Sequence, residues 1–237
     1  MTPFTRSLIN RSIAEAAAAF ARFGITLPPW ATWSPDDWLR KGPECDEIRD
    51  CMLGWDVTDF GSSDFPNIGR TLLTVRNGTT RTPGYAKTYA QKYLFDPDDQ
   101  RAPAHFHRAK MEDICCLAGG NMLVQLHAAG PDDQRSAMPL VIKVDGIART
   151  LVAGEIVRLR PGQSICIPPR TIHQFWGEAG TCPTVSSEVS SVCDDWSDNA
   201  FLCDNALRFP VIIEDAPRAH YLCHEYPRAA CALGLSR

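Results

Sequence analysis

None of the ten cysteines forms a C-x-x-C pair, so the chain carries no zinc-ribbon or thioredoxin-like signature. It has no apolar run of the roughly 18 residues that a membrane span requires. There is no long basic segment, and the net charge is -4, which argues against a nucleic-acid partner. Internal repeats and low-complexity stretches are also missing, which excludes solenoids and disordered linkers. The one leader-like feature, Ala16 to Ala19, is bracketed by Glu15 and Arg22 and reads as part of an amphipathic helix. A cytoplasmic chain without a targeting segment is therefore expected. The cysteines are then small buried hydrophobes in a reducing compartment, with all ten thiols free. Cys223, His224 and Cys231 suggest a second metal site, but their spacing fits no zinc module.

What is present is enough apolar residue, 44% of 237, to bury a sizeable core. Ser7 to Phe23 has a helical pattern with Leu8, Ile13, Ala16, Phe20 and Phe23 on one face, and Gly24 stops it. Ser34-Pro35-Asp36-Asp37 reads as an N-cap, a proline at the first helical position and acidic residues in the first turn. Asp46 to Met52 gives a third short helix. From Gly54 the texture changes to short β-prone runs: Leu72 to Arg76, Lys92 to Phe95, Met122 to Leu126, Leu140 to Val144, Ile156 to Leu159 and Ser164 to Ile167. Asn77-Gly78, Asp145-Gly146 and Pro161-Gly162 supply turns. This spacing indicates a mainly β double-sheet barrel in one domain. Residues 1–53 form a helical extension, 54–192 the barrel core, and 193–237 a return segment packed on it.

His105-Phe106-His107 is the most informative element. On a strand, residues i and i+2 point to one face, so both imidazoles reach one ion. On a helix they would diverge by roughly 200°. Glu112 follows after a four-residue turn, and His173 lies further on. Nitrogen and oxygen donors without thiolate suit Mn, Fe, Co, Ni or Zn. The pattern around them, with Gly119 after Glu112 and with Gly162, Pro168 and His173 downstream, resembles the two motifs of the cupin superfamily. That resemblance implies a double-stranded β-helix, or jelly roll. Asp99 and Arg170 stand where those motifs carry glycine, and Gly177 stands at the final asparagine.

The similarity extends further. Leu53-Gly54-Trp55-Asp56-Val57-Thr58-Asp59-Phe60-Gly61, His105 through Ile114, His173 through Glu178, Glu188-Val189-Ser190 with Asp194-Asp195, and Arg208-Phe209-Pro210 resemble the D-lyxose isomerase family. The resemblance implies manganese as the metal and D-lyxose and D-xylulose as the substrate pair. It also implies D-mannose as a second substrate and a homodimer as the assembly. His105, His107, Glu112 and His173 match that family's metal positions. Arg108, where tryptophan is frequent, is a departure that could alter the pocket rim.

Aldose–ketose isomerisation needs a base beside the metal, and a carboxylate suits that role. Glu188 is the first candidate, the alternative being a salt-bridged surface glutamate. Lys110, in the turn between ligands, is the candidate electrophilic helper; a solvated turn lysine is the other reading. Lys92, Trp176, Asp195 and Arg208 are candidate sugar contacts, against readings as a sheet-edge lysine, a core tryptophan, an acidic loop and a surface arginine. An Fe(II)-dependent cupin dioxygenase and a non-catalytic sugar-binding cupin stay open. A dioxygenase for aromatic substrates should have an apolar pocket, an isomerase a charged one.

Overall fold

The computed structural model describes residues 3–229. Three helices come first: α1 (Arg6–Arg22), α2 (Pro35–Trp38) and α3 (Asp46–Asp50). Thirteen strands follow among the described residues: β1 (Gly54–Thr58), β2 (Arg70–Arg76), β3 (Tyr89–Asp96), β4 (His105–His107), β5 (Glu112–Gly119), β6 (Met122–Ala128), β7 (Leu140–Val144), β8 (Ile147–Leu151), β9 (Ile156–Leu159), β10 (Ser164–Ile167), β11 (Thr171–Gly177), β12 (Thr184–Ser191) and β13 (Asn199–Phe201). They make an eight-stranded sheet, β1-β2-β3-β12-β5-β10-β7-β8, and a five-stranded sheet, β13-β4-β11-β6-β9. Every strand pair in both sheets is antiparallel. This is the mainly β, two-sheet cupin-type barrel that the sequence indicates.

Alternation along the strands sets two cores. Leu72, Leu94, Ile114, Val124, Ile165 and Phe175 point between the sheets. Trp55, Leu73, Phe95 and Val185 face the other way, where α1 lies across the large sheet. Thr5 caps α1, accepting from the Leu8 amide. The helix buries Ile9, Ile13 and Phe20, and Phe20 stacks on Trp55 with centroids 6.1 Å apart. Each such side chain contributes about 1.5–3 kcal/mol when fully buried. The reciprocal Ser34–Asp37 capping box starts α2 as the sequence indicates.

Turn chemistry accounts for several junctions. Asp145 and Gly146 both have positive φ, 52° and 78°, and close the β7–β8 hairpin. Asp99 and Arg170, the residues at the motifs' glycine positions, also have positive φ, 56° and 60°. The backbone there keeps the left-handed geometry that favours glycine. Arg170 is held in it by hydrogen bonds to Gly130 O and Asp133, 2.7 and 2.9 Å. No helix among the described residues is long and apolar enough to cross a membrane. Nine cysteines are free, and Cys231 lies outside the described residues.

Candidate active site

The small sheet supplies three imidazoles. His105 and His107 project from β4 to one side while Phe106, between them, packs the other way beneath the Arg108 and Arg170 guanidinium groups. Strand β11 pairs His173 directly opposite His105. The three rings offer nitrogens all within 4.8 Å of one another. His105 and His173 turn their Nδ1 atoms to the carbonyls of Pro103 and Thr171, each at 2.9 Å, which directs Nε2 inward. Glu112 opens β5 in the large sheet and reaches across. Its Oε1 lies 3.0 Å from His173 Nε2, and its Oε2 lies 3.5 Å from His107 Nε2.

These donors fit a divalent ion. His107 Nε2, His173 Nε2 and Glu112 Oε1 are buried and have no hydrogen-bond partner. Burial, then the neighbouring His173 and His107, holds His105 well below its ordinary pKa; burial and Lys110 lower His107. Both imidazoles are thus neutral at neutral pH, as ligands must be. Burial opposes ionisation of Glu112, but Lys110, His107 and His173 outweigh it and keep the carboxylate charged.

A second cluster adjoins the first. Lys110, from the β4–β5 turn, donates to Glu188 Oε1 at 2.8 Å and sits 2.7 Å from Glu112 Oε2. The turn is held by Asp198, whose carboxylate accepts from the Ala109 and Lys110 amides at 2.8 and 3.0 Å. Glu188 projects from β12, directly opposite Lys92 on β3, and Lys92 Nζ is 3.3 Å from Glu188 Oε1. Burial raises Glu188, yet Lys110 and Lys92 draw it below its ordinary value, so it is ionised. Burial pulls Lys110 down, and Glu112 and Glu188 more than offset this; Lys110 is a charged donor. Lys92 also keeps its charge against burial, beside Cys193 (Nζ–Sγ 2.9 Å), Glu188 and Asp195. Arg208 joins Asp195, at 3.3 Å, to Asp56. Burial opposes the Asp195 charge, but Arg208, Lys92 and Lys110 hold this carboxyl well below its usual range.

The four candidate ion donors together with Lys92, Lys110, Glu188, Asp195 and Arg208 line one cavity of about 60 Å³, with Phe175 and Phe201 as apolar walls, while Asp56, Cys193 and Asp198 lie behind it. A groove of about 740 Å³ meets it at Phe60 and Ala102. The structure therefore gathers His105, His107, Glu112, His173, Lys92, Lys110, Glu188, Asp195 and Arg208. It does not bring Trp176 to the cavity. The alternation that points His173 inward points Phe175 inward too and turns Trp176 to the opposite face, under Arg101 at 3.8 Å. Arg108 does not form the rim; it pairs with Asp133 at 3.0 Å. Residues not singled out from sequence are Phe175, Phe201, Asn199 and Arg70 in the cavity and Asp198 behind the turn. Phe175 was recoverable from its i+2 relation to His173; the others are joined to the site only by tertiary pairing.

Residues 4–226 match the D-lyxose isomerase family along nearly the whole described chain. The chain belongs to that family. Membership makes it a sugar isomerase. A D-lyxose/D-mannose isomerase of Serratia proteamaculans is 44% identical over 224 residues, covering 94% of this chain and 97% of the relative. The D-lyxose/D-mannose isomerase of Escherichia coli O157:H7 is 41% identical over 222 residues, 93% and 97% of the two chains. Among solved structures, the L-ribose isomerase of Cellulomonas parahominis superposes with a TM-score of 0.59 at 18% identity, covering 90% of this chain and 99% of the other. That likeness speaks for the shared fold.

Proposed function

We propose that this family member interconverts D-lyxose and D-xylulose, with D-mannose and D-fructose as a second pair, by proton transfer through a cis-enediol. Two relatives bearing the name D-lyxose/D-mannose isomerase at 41 and 44% identity support the substrate reading. The observation that carries the mechanism is Glu188, ionised and held between two charged lysines beside the histidine–glutamate cluster. Such a charged cavity suits a polyhydroxylated substrate and does not suit the aromatic substrate of a cupin dioxygenase.

His105, His107, Glu112 and His173 would hold the divalent ion, for which we place Mn²⁺ ahead of Co²⁺, Fe²⁺, Ni²⁺ and Zn²⁺. When bound, such an ion supplies Lewis-acid stabilisation of negative charge on the sugar oxygens. The protein's own groups handle the proton. Hydrogen bonds from Lys110 and Ser190 both fall on Glu188 Oε1, leaving Oε2 to accept the C2 proton. The electron pair freed at C2 forms the C1–C2 double bond while the aldehyde oxygen gains a proton. Glu188 then returns its proton to C1, and O2 loses its own to become the ketone. Lys110 cannot serve as the base, because it is already protonated; it donates to a sugar oxygen and offsets the developing charge. Arg208, Asp195 and Lys92 orient hydroxyls, and Phe175 faces the C–H side. We assign the working form as a cytoplasmic homodimer, which sedimentation of the purified chain will check.

The deciding experiment is ketose formation from D-lyxose and from D-mannose, with metal-stripped protein reloaded with each of the five ions. Ketose from both sugars, highest with Mn²⁺, is expected. No ketose with any ion would overturn the reading.

A further inference from the structure

The atoms that mark the main centre are buried donors and acceptors with no hydrogen-bond partner: both ring nitrogens of His107, His173 Nε2 and Glu112 Oε1. Apart from His127 Nδ1, two such atoms remain among the described residues, where Arg208 reaches from the cavity wall to Asp56. They are Asp56 Oδ1 and Arg208 Nη1. Asp56 is 1% exposed, and its Oδ2 accepts from Arg208, so Oδ1 is an unsatisfied carboxylate oxygen in the interior. An unpaired atom of this kind is destabilising unless something binds it.

Two further ligand types stand beside it. The return segment runs along β1, with Leu222 bridged in parallel to Trp55 and the Cys223 amide donating to Trp55 O at 2.7 Å. This register brings buried Cys223 and half-buried His224 to Asp56, with one ligand atom from each of the three within 4.8 Å of the others. His224 is steadied against Phe209, ring centroids 4.4 Å apart. Donors on one tetrahedral zinc ion stand about 3.4–3.8 Å apart, given bond lengths of about 2.0–2.3 Å. Closing the cluster onto an ion thus needs side-chain shifts of no more than about 1–1.5 Å.

We propose that Asp56, Cys223 and His224 form a second metal site, selective for a borderline-soft divalent ion such as Zn²⁺, that fastens the return segment to β1. Thiolate, imidazole and carboxylate are a zinc donor set, with the fourth position left to water. The charges close as well. A divalent ion with one thiolate and one carboxylate is neutral, and Arg208 is neutralised separately by Asp195 on its other side. The third ligand comes from β1, far from Cys223 and His224 along the chain, which is why no spacing within the C-terminal sequence reveals the site.

The four donors of the main centre include no sulfur, which makes the two sites separable by spectroscopy. Metal-free full-length protein, kept reduced, is titrated with Co²⁺. A thiolate-to-cobalt charge-transfer band in the near ultraviolet is expected in the wild type and in His107→Ala, and added Zn²⁺ should displace it. Cys223→Ser should abolish the band. His224→Ala, a change at the half-buried end that spares the thiol, should weaken Co²⁺ binding read by the same band by at least about tenfold, the lower range for losing even an outer-shell partner. Circular dichroism confirms that each variant is folded. No thiolate band in the wild type at millimolar Co²⁺, or an undiminished band in Cys223→Ser, would overturn the site. Neither result bears on isomerase activity, which is read from ketose formation.

Discussion

Glu188 and His107 are close in space but should fail in different ways when replaced. Glu188→Gln keeps the shape and removes the proposed base, so kcat should fall by roughly 10²–10⁴-fold while the metal content stays unchanged. In D₂O the wild type should place solvent deuterium at C1 of the ketose, because a carboxylate proton exchanges before it is returned. Complete retention of a C2 deuterium in H₂O, with near-normal turnover in Glu188→Gln, would rule out this base. His107→Ala should lose both activity and main-site metal without unfolding the barrel; full occupancy of that site with retained turnover, by metal analysis in a Cys223→Ser background, would contradict the ligand set. The sequence carried these residues because their signal is local: β-strand alternation for His105 and His107, and contiguous motifs for the rest. Trp176 is a candidate because an indole can present an apolar wall to a sugar's C–H face, but it takes the alternative place in the core. Parity along β11 gives the wall position to Phe175.

At the scale of elements, β7, β9 and β10 have the limits read from the sequence, since each is a short apolar run between clear turn signals. β8 escaped because four of its five residues are exposed, so it shows no alternation. β12 lies at the centre of the large sheet, yet its buried face is built from Ser186, Glu188 and Ser190, a pattern that reads as polar. Its insertion between β3 and β5 sets Glu188 opposite Lys92, a non-local pairing that no window of sequence contains. α1 is fastened in a similarly non-local way. Arg6, fully buried, bonds Glu214 (2.8 Å) and Glu225 (2.5 Å) of the return segment. Arg6→Met should leave Glu225 only the more distant Arg218, at 3.7 Å, and the Leu222 amide, and cost about 3 kcal/mol, a fall in Tm of roughly 10 °C. The hydrogen bond from Arg6 is the main cause that lowers Glu214 from 4.5 to about 2. A carboxyl depressed on folding stabilises above its unfolded value, and that contribution is lost as the pH falls from about 4.5 through about 2. The stability of Arg6→Met should vary less over that window. Acid unfolding curves of equal steepness for variant and wild type would show that the clamp does not titrate as described.

Across the whole molecule, the proposed metal ligands join the two sheets. Three come from the five-stranded sheet and Glu112 from the eight-stranded one, while the lysine–carboxylate cluster lies on the large sheet and the turn that leads into it. An ion that binds only the assembled barrel therefore stabilises both sheets together. At a free concentration about 100 times its Kd, linkage gives about 2.7 kcal/mol. For a chain of this size that is an increase in Tm of roughly 5–10 °C. Mn²⁺, which prefers oxygen and nitrogen donors, should produce this shift through the main centre, and His107→Ala should remove it. Zn²⁺ can also occupy the Asp56–Cys223–His224 cluster, so part of its shift should persist in His107→Ala and disappear when Cys223→Ser is added. Differential scanning fluorimetry of the wild type, His107→Ala and the double variant, each with both ions, separates these contributions. An Mn²⁺ shift of undiminished size in His107→Ala would mean that the stabilising ion sits elsewhere, and the bridge between the sheets would have to be abandoned.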